Sequence, residues 1–509
     1  MHPILTTTRN ALIAAGATAV FAATAQAQQY VHINDSIRGA PSEANNFIAT
    51  PKGWKQPMTP WGEPDIQSQL NMMQTAGIPL QRCASSYRFG GPPCDMNKKW
   101  LTKEEYDQRM EAYSHRTDRS DQLAAKGDLG GALQAGLTDP GIPQWETNLI
   151  VDPPNGLLPA LTPEGKRLAP TYHSDWPLPG EDLVFDGPKD FDSWDRCITR
   201  GMPSSMMHYY YNGGLQIVQA PGYVIFRLEM IHEARIIPTD GRATTSSAIK
   251  QWLGVSRGHW EGDTLVVETT NYRVGAPMIN LAVIGSPPGN LFPTSEKMKT
   301  TERITRLNDD WYLYEITTED PVILTRPFTV RYPMKNDPSY LMPEYACHEG
   351  NTIVQDYVET NRYERAHPKP EPAQPPVEVT PTVADLLAGD WVGTPRIVTV
   401  DDHIRLHFTK NADGTVNGKL VGTSFGKIDK PLRDFKIEKN FTVRSFRRGP
   451  QSGPGRVIPG PVMTFTFPNI NPWRFAGKIN DDGTITGIVS SAQGGLPLTF
   501  KHVAGNDGG

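Results

Sequence analysis

From Asp195 to Asn361 the chain is a succession of short β-forming runs broken by turn residues, and few folds accept that pattern. GLQIVQAPGYVIFRLEM reads as two strands about Pro221-Gly222, and HEARIIPTDGR as a strand ending at Asp240-Gly241. VSRGHWEGDTLVVETTNY turns at Glu261-Gly262-Asp263 and KTTERITRLNDDWYLYEITTED at Asn308-Asp309-Asp310; RPFTVRYPM adds one more strand. Consecutive antiparallel strands make a meander that has to close into a barrel or pack as a sandwich. The expected fold is therefore mainly β, with an antiparallel β-barrel-like central domain over residues 149–365. The 46 glycines and 46 prolines fit a chain of turns and short strands and not one of long helices.

A chain of 509 residues exceeds one ordinary core, so further domains are expected. AHPKPEPAQPPVEVTPT, residues 366–382, is too rich in proline for sheet or helix and reads as a stiff linker. Beyond it, NADGTVNGKLVG and NDDGTITGIVSS repeat one Asp-Gly hairpin design, so residues 383–509 are expected to form a second, small β-barrel. Residues 28–148 read as an irregular and helical N-terminal region. PDIQSQLNMMQTAG is a short helix by its pattern. A longer helix starts at Thr102, where Glu105 completes a capping box and Leu101 faces Tyr106 as a staple.

The first residues, MHPILTTTRNALIAAGATAVFAATAQAQQ, have the charged, apolar and small-residue parts of a secretory signal peptide over residues 1–27. The expected location is periplasmic or secreted, with no integral membrane segment after cleavage. In an oxidising compartment the four cysteines favour two bridges, Cys83 with Cys94 and Cys197 with Cys347. A free, nucleophilic Cys347 and thiolate metal ligation are the alternatives, the latter without any CxxC spacing. A net charge of −5 with no basic run argues against a nucleic-acid partner.

Six ordered blocks carry a resemblance: LIVDPPNGLLPALTPEGKR, WDRCITRGMP, YYNGGLQIVQAPGYVIFRLEMIHEARIIPTDGR, WLGVSRGHWEGDTLVVETTNY, EDPVILTRPFTVRYPM and YACHEGN. Together, from about Leu149 to Asn351, they resemble a large, uncharacterised family of exported bacterial proteins. LAGDWVG and ITGIVSSAQGGLPLTFKHV resemble the small β-barrel module found beside hydrolase domains in exported bacterial proteins. Neither resemblance implies an activity for this chain.

Candidate chemistry rests on a few side chains. His232 and Glu233 lie in EMIHEARIIP, read as a strand whose period of two places His232 among apolar neighbours as a desolvated, neutral base. A Cys197–Cys347 bridge draws Asp195, Arg196 and Arg200 towards His348 and Glu349. Asp195 or Glu349 then orients His348 as a general base, while Arg200, with Arg235, is a candidate cation for substrate. His208 and Tyr210 in MMHYYYNGG line an apolar pocket or belong to the core. A divalent metal held by His232, His348 and a carboxylate has no supporting HxH, HExxH or HxxE spacing, so cofactor-independent chemistry is expected. A GxSxG elbow is absent as well. Two function classes follow: an acid–base hydrolase, lyase or isomerase acting on a small, partly apolar substrate in the barrel, or a periplasmic binding module for an apolar or aromatic small molecule.

Overall fold

The computed structural model describes residues 52–75, 77–82, 95–115, 117–129, 132, 142–172, 174–175, 183–209, 211–287, 289–368, 374–395, 403–423, 426–443, 456–468, 473–491 and 494–503. The expected signal peptide, Cys83, Cys94 and Tyr210 lie outside the described residues.

Ten strands form the central antiparallel sheet: β1 (Ser68–Asn71), β2 (Ile150–Asp152), β3 (Gly214–Ala220), β4 (Tyr223–Leu228), β5 (Ala234–Pro238), β6 (Val255–Glu261), β7 (Thr264–Thr270), β8 (Lys299–Arg306), β9 (Trp311–Glu319) and β10 (Phe328–Asn336). Their order is β5-β4-β3-β1-β10-β9-β8-β7-β6, with β2 paired to β10. Two meanders, β3 to β5 and β6 to β10, are thus joined through β1. The end strands β5 and β6 meet to make the sheet a nearly closed barrel. At that seam a Cβ on Gly258 of β6 would lie 2.9 Å from Ile237 Cγ2 and 3.0 Å from Thr239 Cγ2. Only a hydrogen fits there, so this glycine lets the edges approach. Alternation then fills the interior with Phe226, Ile304, Tyr312, Tyr314, Ile316, Phe328, Tyr332 and Met334. Each such aliphatic or phenyl side chain stabilises the fold by roughly 1.5–3 kcal/mol.

The helix expected in PDIQSQLNMMQTAG is a misreading. Its centre is strand β1, followed by a 3-10 turn at Met72–Thr75. Leu70 is opposite Leu215 of β3 on one side and Asn336 of β10 on the other. Pairing on both edges satisfies the backbone of a segment whose own propensity does not ask for a strand. The central sheet therefore takes a strand from the region expected to be irregular.

Capping predicted the longer helix well at its start. In α1 (Lys103–Ser114) the Thr102 hydroxyl accepts from Glu105 N at 3.3 Å, and Glu105 Oε2 accepts from Thr102 N at 2.9 Å. Leu101 and Tyr106 are buried, and the Tyr106 ring stacks on Trp145 at 4.1 Å. The helix stops at Ser114, and α2 (Asp118–Ala125) begins after a break. Two further helices, α3 (Pro163–Leu168) and α4 (Ile353–Ala366), precede the proline-rich stretch.

Nine strands form the second sheet: β11 (Gly389–Pro395), β12 (Ile404–Lys410), β13 (Val416–Thr423), β14 (Gly426–Pro431), β15 (Arg433–Val443), β16 (Arg456–Thr466), β17 (Arg474–Ile479), β18 (Thr484–Ser491) and β19 (Gly494–His502). Its end strands are β14 and β15, which are joined in sequence by the single buried residue Leu432. Chain continuity thus brings the two edges together and nearly closes this barrel too. Its repeated turns work alike: Asp413 Oδ1 accepts from Thr415 N at 3.0 Å, and Asp482 Oδ1 from Thr484 N at 3.0 Å. Gly414 at φ +87° and Gly483 at φ +77° supply the left-handed residue of each turn. Helix α5 (Pro381–Leu387) is tied to the barrel by Trp391 Nε1, which donates to Leu387 O at 2.8 Å.

Candidate functional site

Between β4 and β5 the expected continuous strand is interrupted. Met230–His232 is a 3-10 turn, with Ile231 at φ +57° and His232 at φ +45°. Left-handed backbone at a β-branched residue is unusual and costs on the order of 1–3 kcal/mol. Hydrogen bonds to both ends of the turn hold it. The Glu229 carboxylate accepts from Gly214 N at 2.9 Å, Asn212 Nδ2 at 2.8 Å and Tyr340 OH at 2.6 Å. His232 Nδ1 lies 2.9 Å from Tyr345 O. A carbonyl only accepts, so Nδ1 carries a proton, and in the neutral tautomer Nε2 is the lone-pair nitrogen. His232 is exposed, not desolvated among apolar neighbours, because the turn has rotated it off the strand face.

Glu233 is the partly buried residue of the pair. Ser205 Oγ donates to its Oε2 at 3.4 Å, and the nearby Thr199 hydroxyl also favours its ionised form. Burial pushes its carboxyl up to about 7, against the lowering effect of those hydroxyls and of the Arg235 and His232 charges.

Thr199 is followed by Arg200, whose guanidinium lies 3.7 Å from the Trp194 ring centre and 3.8 Å from that of Tyr209. Its Nη2 donates to Tyr211 OH at 2.7 Å and its Nη1 to Asn280 Oδ1 at 3.4 Å. Tyr345, whose carbonyl holds His232, packs its ring 6.0 Å from Trp194. Burial, with Tyr211 adding to it and Arg200 opposing, pushes the Tyr345 phenol up to about 12. One constellation thus contains Glu233, His232, Ser205, Arg200, Trp194, Tyr211 and Tyr345.

The Cys197–Cys347 disulfide is present, with Cα atoms 5.6 Å apart, and it joins this constellation to a second cluster. Asn351 Nδ2 donates to Asp195 O at 3.1 Å beside Cys197 Sγ. The Asp195 carboxyl lies beside two other acids. Asp175 N donates to Asp195 Oδ2 at 3.2 Å, and Asp195 N to Asp192 Oδ1 at 2.7 Å. Burial first, and mutual repulsion with it, raises Asp195 to about 9 and Asp175 to about 6; burial also raises Asp192. These acids bind protons in the folded chain at pH values where the unfolded chain, with carboxyls near 3.8, has released them. Stability is therefore lost as pH rises from about 4 towards 9. Asp195→Asn cannot ionise, so it is expected to melt above wild type at pH 9 and close to it at pH 4. A variant melting below wild type at pH 9 would show that the ionised carboxylate is stabilising.

His348 and Glu349 are exposed. His348 lines an open groove of about 280 Å³ with Pro188, Arg196, Cys197, Asn351 and Val354. Among the described residues no hydrogen bond joins His348 to Asp195 or Glu349, so the bridge brings the chain segments together without building the expected carboxylate–histidine pair. Arg235 points into the barrel, where it is 4% exposed and paired with Glu302 at 1%. His208 is core: its Nε2 lies 3.1 Å from Thr75 Oγ1, its ring packs against Tyr332, and burial pushes its pKa down to about 3. Sequence reasoning passed over Trp194, Tyr211 and Tyr345, although Trp194 stands in the same WDRCITRGMP block as Arg200. Among the described residues no group of three or more His, Cys, Asp or Glu is placed to hold a metal ion.

No protein-family model matches the chain, and no curated relative matches it. Among solved structures, a protein of unknown function from the DUF3598 family of Nostoc punctiforme is 11% identical with a TM-score of 0.14, covering 57% of this chain and 87% of that one. A double mutant of Transferrin Binding Protein B from Haemophilus parasuis is 8% identical with a TM-score of 0.11, covering 56% of this chain and 52% of that one. Likeness at these scores carries no argument about this chain.

Proposed function

We propose that the protein is an exported enzyme performing cofactor-independent acid–base chemistry on a small, partly apolar substrate, with Glu233 as the group that gives and takes the proton. The reaction class is a hydrolase, lyase or isomerase. The observation that carries this reading is the turn at 230–233, where a strained backbone sets an exposed imidazole next to a partly buried carboxyl raised to about 7. A carboxyl with that value is populated in both states near neutral pH, which suits general acid–base catalysis. His232 Nε2 is the second proton acceptor, and the Tyr345 hydroxyl is a neutral donor for charge that develops on the substrate. Export is supported by the Cys197–Cys347 bridge, which persists in oxidising compartments. Among the described residues no helix is long and apolar enough to cross a membrane.

The test is turnover of small aryl esters, lactones and enolisable ketones by the full chain, with Glu233→Gln as the comparison. The variant is expected to lose at least ~100-fold in kcat. Its stability supplies a second readout. The folded value near 7 exceeds the ordinary 4.5, so wild type loses stability as pH rises between them and the variant does not. Glu233→Gln should therefore melt above wild type at pH 8. Full turnover by the variant would remove Glu233 from the mechanism. The cage about Arg200 supports the second reading, a binding module for an aromatic small molecule, which predicts binding with no Glu233-dependent turnover.

A further inference from the structure

We infer that Arg200 anchors a carboxylate of the substrate, so that the site takes small aromatic monocarboxylates. This rests on the placing of the reaction at Glu233 and names the class of molecule that reaches it.

Two buried arginines make the contrast. Arg235 is paired with Glu302 inside the barrel. Arg200 is 1% exposed, yet among the described residues no carboxylate lies within ion-pair distance of it. A buried cation with no anion in contact is costly, and the aromatic faces offset only part of that cost. Its donors are also underused. Nη2 reaches a neutral phenol at 2.7 Å, Nη1 reaches an amide oxygen at a long 3.4 Å, and Nε is buried with no partner.

The geometry limits what can complete it. Trp194 at 3.7 Å and Tyr209 at 3.8 Å cover the guanidinium's faces, so a ligand meets only its edge. The Nε–Nη2 edge presents two parallel N–H bonds, the fork that fits the two oxygens of a carboxylate. Tyr211, half-buried, occupies that edge through its hydroxyl and is the group a carboxylate would displace. A single anionic charge is favoured because the buried acid Asp192 already acts on Arg200. The partly buried rings of Trp194, Tyr211 and Tyr345 offer flat apolar surface for the rest of the molecule. Thr199, whose hydroxyl acts on the Glu233 carboxyl, puts the anchor one residue along the chain from a neighbour of the proton carrier.

The experiment is calorimetric titration of the full chain at pH 7 with benzoate and with its neutral isostere benzamide. Benzoate is expected to bind at least about tenfold more tightly than benzamide. Arg200→Lys, which loses the fork and the stacking, should weaken benzoate by at least about tenfold. Should that variant not fold, Tyr211→Phe decides, because it frees Nη2 and should tighten benzoate several-fold while leaving benzamide unchanged. Equal affinity for the two probes, no binding of either, or a Tyr211→Phe variant with unchanged or weaker benzoate affinity would each overturn the assignment. Where the anchor is overturned, Glu233 still titrating near 7 in the same protein would show that the acid–base reading stands without it.

Discussion

Cys347→Ser is expected to lower the unfolding midpoint of the central barrel by about 10 °C or more. The bridge closes a loop of 150 residues, and in the chain-entropy account such a constraint is worth about 4–5 kcal/mol. At roughly 2–4 °C per kcal/mol for a domain of this size, the shift is large enough to see by scanning calorimetry. The loss is also local. The bridge ties the turn carrying Asp195 and Arg200 to the segment carrying Tyr345 and Asn351, so Trp194 fluorescence should change before the barrel melts. A shift under about 2 °C would mean that the unfolded chain is already held compact without the bridge.

Arg235→Leu is expected to cost about 3–5 kcal/mol, because it leaves the Glu302 carboxylate buried with only neutral partners. The neutral partner left to it is Tyr314, whose OH donates to Glu302 Oε1 at 2.7 Å, while the Ser256 and Thr269 hydroxyls, 3.3 Å from the guanidinium, lose theirs. The double variant Arg235→Leu/Glu302→Leu removes both charges and should recover most of the loss. Urea unfolding of the three proteins measures this directly. A single variant within about 0.5 kcal/mol of wild type would show that Glu302 is protonated or hydrated in the fold.

The barrels were legible because their information is local. Alternation in β9 and the Asp-Gly turns of the second barrel act over a few residues, and the structure uses them as read. Strand β1 was not legible, since Leu70 takes its conformation from β3 and β10, more than a hundred residues away. The same holds at the site. The cysteine pairing could be reasoned from parity and compartment, and it placed Asp195 and His348 on neighbouring segments. It could not say which way the side chains turn. Asp195 went inward to Asp175 and Asp192, and His348 outward to a groove. The period-of-two reading of His232 failed because Ile231 and His232 leave the strand conformation, which residue types alone do not announce. Arg235 was read as a ligand-facing cation because its partner, Glu302, lies three strands away along the meander.

The direct test of the central claim is the titration of the Glu233 carboxyl, followed by carbon NMR on the full chain with labelled glutamate and assigned through Glu233→Gln. A midpoint near 7, set by burial beside Ser205 and Thr199, is the predicted result. A midpoint near the ordinary 4.5 would contradict it, since the carboxyl would then be an ionised surface group and the turn at 230–233 would hold no proton carrier.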